Sequence, residues 1–139
     1  MARWECEYNM STTKPVVVYG VSGYTGRLIC EYLRELGVPF VAAGRDAERV
    51  RSVVEKIPGI ETADYESVEV ENDADALAAA FEGAQVICNT AGPFIKFGPE
   101  VVEAALRIGA HYTDTTGEQD WVLHCRETWG AQFAEAGLL

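Results

Sequence analysis

At 139 residues the chain is long enough for one domain built around one sizeable core. Its hydrophobic content of 48% and charged content of 24% are those of a globular protein, and a net charge of −11 argues against a nucleic-acid surface and against attraction to anionic lipid. No apolar run reaches the length of a membrane span, and the first fifteen residues lack the apolar stretch of a signal peptide, so the expected compartment is the cytoplasm.

Residues 1–14 read as a polar, flexible leader with Trp4 and Tyr8 as its anchors, and residues 15–139 as the folded domain. Val16–Tyr19 is a β-branched and aromatic run suited to a parallel strand covered on both faces. From Thr25 to Leu36 the pattern switches to helical spacing, with Leu28, Ile29, Tyr32, Leu33 and Leu36 on one side. Between them lie Gly20, Gly23 and Gly26. Glycines at such a turn let the backbone bend sharply and let a ligand approach without meeting a Cβ. The N–H groups at the helix start would then face a pyrophosphate. The spacing is Gly-x-x-Gly-x-x-Gly rather than the usual Gly-x-Gly-x-x-Gly, and a tight turn serving only helix–strand packing is the alternative.

The next strand lies in Val38–Asp46 and ends on Gly44 and Arg45. An NAD site places a carboxylate near this point, about 20 residues after the loop, to bond the ribose 2′-OH. Arg45 can instead bond a 2′-phosphate in a forked geometry, and the small Gly44 leaves room for the adenosine end, so NADP(H) is favoured over NAD(H). A solvated surface cation is the bland alternative for Arg45. Asp46 suits the N-cap of a helix Ala47–Ile57 better than a ribose contact.

Further along, Ser67–Val70 reads as a third strand, Asp73–Phe81 as a helix and Gln85–Asn89 as a fourth strand. Pro99–Ile108 is helical with Gly109 placed to end it, His111–Asp114 is a fifth strand, and Gln119–Ala136 is one final helix. Glu61–Glu71 is acidic, as expected of a solvated connection and strand edge. Alternating strands and helices imply right-handed parallel crossovers: a Rossmann-like, doubly wound α/β/α fold of five strands in the order 3-2-1-4-5. The cofactor would cross the switch point between strands 1 and 4.

The ends of strands 4 and 5 should flank that crevice. Thr90, Ala91, Gly92 and Pro93 would lie beside the pyrophosphate and nicotinamide ribose, with Phe94 packing on the cofactor. Asp114 and Glu118 are conceivable acid/base groups, although a structural or cofactor-positioning role is favoured until a proton is shown within reach. Cys6, Cys30, Cys88 and Cys125 form no Cys-x-x-Cys pair, which fits a reducing compartment. His124 and Cys125 lack further ligands at metal spacing, so no metal is expected, and His111 reads as structural.

Four stretches, Val18–Leu28, Ala42–Arg45, Asn89–Phe94 and His111–Glu118, resemble in this order the N-terminal domain of the saccharopine dehydrogenase-like family, which includes saccharopine reductases and trans-acting enoyl reductases. The resemblance covers about Lys14–Trp121. It implies an NADP(H)-binding domain with Gly20, Ser22, Gly23, Tyr24, Thr25 and Gly26 on the phosphates. It also implies Arg45 on the 2′-phosphate and Ala91, Gly92 and Pro93 on the nicotinamide side. Members of that family usually continue into a substrate-binding domain. The chain therefore reads as the cofactor domain of an oxidoreductase cut before that second domain, with a small-molecule substrate. Apolar surface meant for the missing part could drive self-association. A non-catalytic NADP-binding sensor or partner module is the alternative.

Overall fold

A computed structural model describes residues 14–139; Trp4, Cys6 and Tyr8 and the rest of the expected leader lie outside the described residues, Lys14 excepted. Five parallel strands form one sheet: β1 (Val16–Tyr19), β2 (Phe40–Gly44), β3 (Tyr65–Glu69), β4 (Val86–Asn89) and β5 (His111–Asp114), in the order β3-β2-β1-β4-β5. β1 is central, with Val17 opposite both Val41 of β2 and Ile87 of β4.

Because side chains alternate across a strand, β1 and β2 feed two cores. Val17, Tyr19, Val41 and Ala43 join one cluster with Ile87, Leu77, Phe81 and Trp121, while Val18, Phe40 and Ala42 join the other with Cys30, Val50 and Val54. The second cluster lies under α1 (Tyr24–Glu35) and α2 (Ala47–Val54). The first lies under α3 (Ala74–Ala80), α4 (Phe94–Ile108), α5 (Gln119–Thr128) and α6 (Gly130–Glu135). The expected Rossmann-like order and three layers are therefore present.

Several boundaries differ from expectation. β3 begins two residues earlier than Ser67, since an edge strand exposed on much of its length gives a weak hydrophobic signal. The predicted Gln119–Ala136 helix is two helices, broken at Trp129, whose indole packs into the core. On α1 the buried residues are Gly26 and Cys30, with Ile29 and Leu33 packed at their side, whereas Tyr32 and Leu36 are 63% and 75% exposed. The small residues let α1 sit close to the sheet, and this turns the larger ones outward. α4 starts at Phe94, five residues before the expected Pro99, which lies within the helix. A proline is favoured at a helix start, and that preference misplaced the boundary.

Candidate functional site

The carboxyl ends of β1 and β4 diverge into loops, and a cleft of about 210 Å³ opens there. This is the crevice at the switch point, where the sheet reverses its direction of winding. Tyr19, Gly20, Ser22 and Gly23 form one wall, and Thr90, Ala91 and Gly92 another. Gly44 and Arg45 close the end beside β2, with Asn72 and Phe97. Tyr24, Thr25, Gly26 and Pro93 do not line it.

The three loop glycines differ in what requires them. Gly20 has φ +84°, and a Cβ there would stand 2.7 Å from Ala91 N. Gly26 packs so tightly that a Cβ would stand 2.7 Å from Val21 Cα and 2.8 Å from Thr90 Oγ1. Thr90 ties the same junction, its hydroxyl 2.8 Å from Tyr19 O and 3.1 Å from Gly20 O. Gly23 is otherwise. Its φ of −82° and ψ of 166° suit any residue, and a Cβ would meet only Gly20 O at an ordinary 3.5 Å. Neither backbone conformation nor packing demands a glycine there.

The helix starts show a parallel contrast. Asp46 accepts from Arg49 N at 2.9 Å and caps α2, as expected, and Asp73 accepts from Ala76 N at 2.9 Å and caps α3. Glu118 spans two donors of α4, with Phe94 N at 3.0 Å and Ile95 N at 3.1 Å. α1 has no side-chain cap and no acidic residue in its first turn. Its first N–H groups lack intrahelical partners and carry the positive end of the helix dipole. A carboxylate beside Gly23 would compete with an anion, and none is placed there.

Arg45 is exposed at the mouth, its guanidinium 5.3 Å from the centroid of the Phe97 ring. Gly44 lines the cleft, and on its Cβ side it also serves packing, since a Cβ would stand 2.7 Å from Val50 Cγ2 of α2. Tyr19 OH donates to Asn72 Oδ1 at 3.1 Å, and Asn72 Nδ2 donates to Glu100 Oε2 at 3.2 Å. Burial pushes the Tyr19 phenol above its ordinary pKa, an effect that the nearby Arg45 charge opposes and the charges of Glu71 and Glu100 reinforce.

Asp114 and Glu118 do not share this cleft. Asp114 borders a separate, apolar cavity of about 440 Å³ between β5, α5 and α6, because β5 lies one strand further from the switch point. Its oxygens accept from Tyr112 OH at 2.8 Å, Trp121 Nε1 at 2.8 Å and Thr116 N at 3.0 Å. The chain of bonds continues inward, since the fully buried Asn89 donates to Tyr112 OH at 3.1 Å and accepts from Ala91 N at 3.0 Å. This network holds the Thr90–Gly92 wall of the cleft to β5. Phe94 is also not on the cleft: it is 7% exposed within the core, and the ring that lines the cleft is Phe97.

The model of the saccharopine dehydrogenase NADP binding domain matches residues 16–135. The chain belongs to that family. Its cofactor is accordingly NADP(H), which fits a glycine cradle, an uncapped helix start and an arginine at one cleft. A lipid droplet localized protein of Caenorhabditis elegans is 34% identical over 131 residues, which span 88% of this chain and 31% of that relative. A trans-acting enoyl reductase of Mycobacterium leprae is 33% identical over 116 residues, 81% of this chain and 27% of the relative. The chain thus spans under a third of the length of these relatives. Among solved structures, saccharopine dehydrogenase (L-Glu forming) of Saccharomyces cerevisiae aligns with a TM-score of 0.70 at 16% identity, over 90% of this chain and 26% of that one. That likeness shows the shared fold.

Tyr19, Asn72 and Phe97 line the cleft and are not among the residues expected from the sequence. Phe97 lies between Phe94 and the expected helix start at Pro99, and the earlier start of α4 at Phe94 is what places it on the helix. Asn72 carries no local signal; the parallel register of β3 brings it to the cleft.

Proposed function

We propose that NADP(H) lies across this cleft with its pyrophosphate on Gly20, Ser22 and Gly23 and toward the α1 start at Tyr24 and Thr25, its 2′-phosphate on Arg45, and its nicotinamide side along Thr90, Ala91 and Gly92. Gly26 and Pro93, which do not line the cleft, shape it from behind, Gly26 by letting α1 pack against Val21 and Thr90. The observation that carries this reading is Gly23: it borders the cleft, and neither φ nor packing explains its lack of a side chain. The chain is then the cofactor domain, residues 15–139, of an NADP-dependent oxidoreductase that continues into a substrate domain. The bound nicotinamide supplies or accepts hydride, and the substrate is a carbonyl, imine or activated alkene. The protein's share is binding and orientation: the Asn89–Tyr112–Asp114 network fixes the nicotinamide-side wall, and Glu118 fixes the start of α4. The free, buried or half-buried Cys30, Cys88 and Cys125 support a reducing, cytoplasmic setting.

A non-catalytic cofactor-binding module is the second reading, and one observation favours it: the carboxylates of Asp114 and Glu118 are engaged in structural hydrogen bonds. The deciding experiment is a side-by-side titration of the chain with NADPH and NADH, followed by calorimetry, then single-turnover assays on a substrate panel. Selective NADPH binding with turnover fits the reductase reading, selective binding without turnover fits either the module or a cofactor domain acting only with its substrate domain, and no binding to either cofactor counts against the cleft assignment.

A further inference from the structure

Two residues in the first turn of α4, Lys96 and Phe97, have no part in the assignment above. Lys96 Nζ stands 5.0 Å from the centroid of the Phe97 ring, and the Arg45 guanidinium stands 5.3 Å from the same centroid. Arg45 follows β2 and Lys96 belongs to α4, so two cations from different elements gather on one ring at the cleft. Among the described residues neither forms an ion pair, in a chain with 22 acidic and 11 basic side chains. The ring face attracts both charges and shortens the list of positions they sample. The bonds from Glu118 to Phe94 N and Ile95 N fix the turn that carries them.

We infer that Lys96 is a second cation for the 2′-phosphate of NADP(H), and that Phe97 is the positioning residue that holds Lys96 and Arg45 at the adenosine end; this rests on the proposed reading of Arg45. A phosphate monoester presents three terminal oxygens and close to two negative charges. A guanidinium takes two oxygens in its fork and neutralises one charge, which leaves an oxygen and a charge for a point-like ammonium. Lys96 is exposed, so its replacement leaves the fold alone.

The test is a set of titrations of the chain with NADPH, NADH, 2′,5′-ADP and 5′-AMP, for the parent, Arg45→Ala, Lys96→Gln, Lys96→Arg and Phe97→Leu. Lys96→Gln should bind NADPH and 2′,5′-ADP roughly tenfold more weakly, the scale of one charge-assisted bond, with NADH and 5′-AMP unchanged. Lys96→Arg should restore most of the loss. Phe97→Leu should lower the NADPH-to-NADH affinity ratio, whereas a merely structural ring would weaken both cofactors alike. If Arg45→Ala loses NADPH selectively while Lys96→Gln changes nothing, or weakens all four ligands equally, the inference is overturned and the reading of Arg45 stands. If Arg45→Ala itself shows no selectivity, the reading of the cleft falls and the inference with it.

Discussion

Glu118 lies with one carboxylate oxygen 3.0 Å from the backbone N–H of Phe94, 24 residues earlier in the chain, so the turn after β5 caps the helix after β4. Its other oxygen takes Ile95 N at 3.1 Å, and the two bonds together anchor the helix turn that presents Phe97 to the cleft. Replacing Glu118 by alanine should cost about 1–2 kcal/mol of stability, the range for losing an N-cap. Urea denaturation measures the loss, and a change below about 0.3 kcal/mol would mean that the cap contributes nothing in solution.

Gly23 and Gly26 separate binding from folding. Gly23→Val should give a folded protein that binds neither NADPH nor NADH, since a Cβ there meets only Gly20 O at an ordinary 3.5 Å while Gly23 borders the cleft. Gly26→Ala should instead lower stability by about 1–3 kcal/mol, because Val21 Cα and Gly20 O are backbone and cannot yield as a side chain would. Circular dichroism and cofactor titration on both variants distinguish the two roles. A folded Gly23→Val chain with unchanged affinity would count against the pyrophosphate assignment.

Arg45→Ala should weaken NADPH binding by about 1–3 kcal/mol and leave NADH nearly unchanged. The guanidinium has no ion-pair partner among the described residues, so its loss leaves no buried carboxylate behind to confuse the result. Isothermal calorimetry with both cofactors is sufficient.

Alkaline pH should destabilise the protein before it chemically damages it. Burial pushes the Cys30 thiol from 9.0 up to about 12, and the half-buried Cys125 thiol up to about 11, with the Asp114 charge adding to the latter. A raised thiol pKa means that the fold holds a proton which the unfolded chain releases earlier. The stability from these two thiols is therefore complete below about pH 9 and is lost as pH climbs toward 11 and 12. Burial raises the Tyr19 and Tyr112 phenols as well, which steepens the same slope. Thermal midpoints measured from pH 7 to 11 should be flat and then fall above about pH 9, and Cys30→Ala should soften the decline.

The order of elements was legible because β1, β2 and β4 are short apolar runs separated by amphipathic helices, a pattern that leaves few topologies. Gly20, Gly23, Gly26 and Arg45 were legible as candidates because a turn between strand and helix needs glycines, and a strand end needs a reason to carry a cation. Their local sequence already contains the chemistry. Asp46 at the N-cap of α2 was legible for the same reason, since its hydrogen bond to Arg49 N spans three residues.

What the chain could not disclose locally was decided by contacts between distant segments. Three glycines that look equivalent in sequence differ because Ala91, Val21 and Thr90 approach two of them and leave the third open. Asp114 and Glu118 carry the residue type of a general base, yet Trp121, Tyr112, Phe94 and Ile95 take their lone pairs. Phe97 reaches Arg45 across 52 positions of sequence, and no local pattern records that meeting. The sequence alone determined secondary-structure order and the cofactor class, because both rest on periodicity and on residue types within a few positions. Which side chains face the cleft was settled only by tertiary packing, because hydrogen-bond capacity and free volume depend on neighbours that the linear chain leaves far apart.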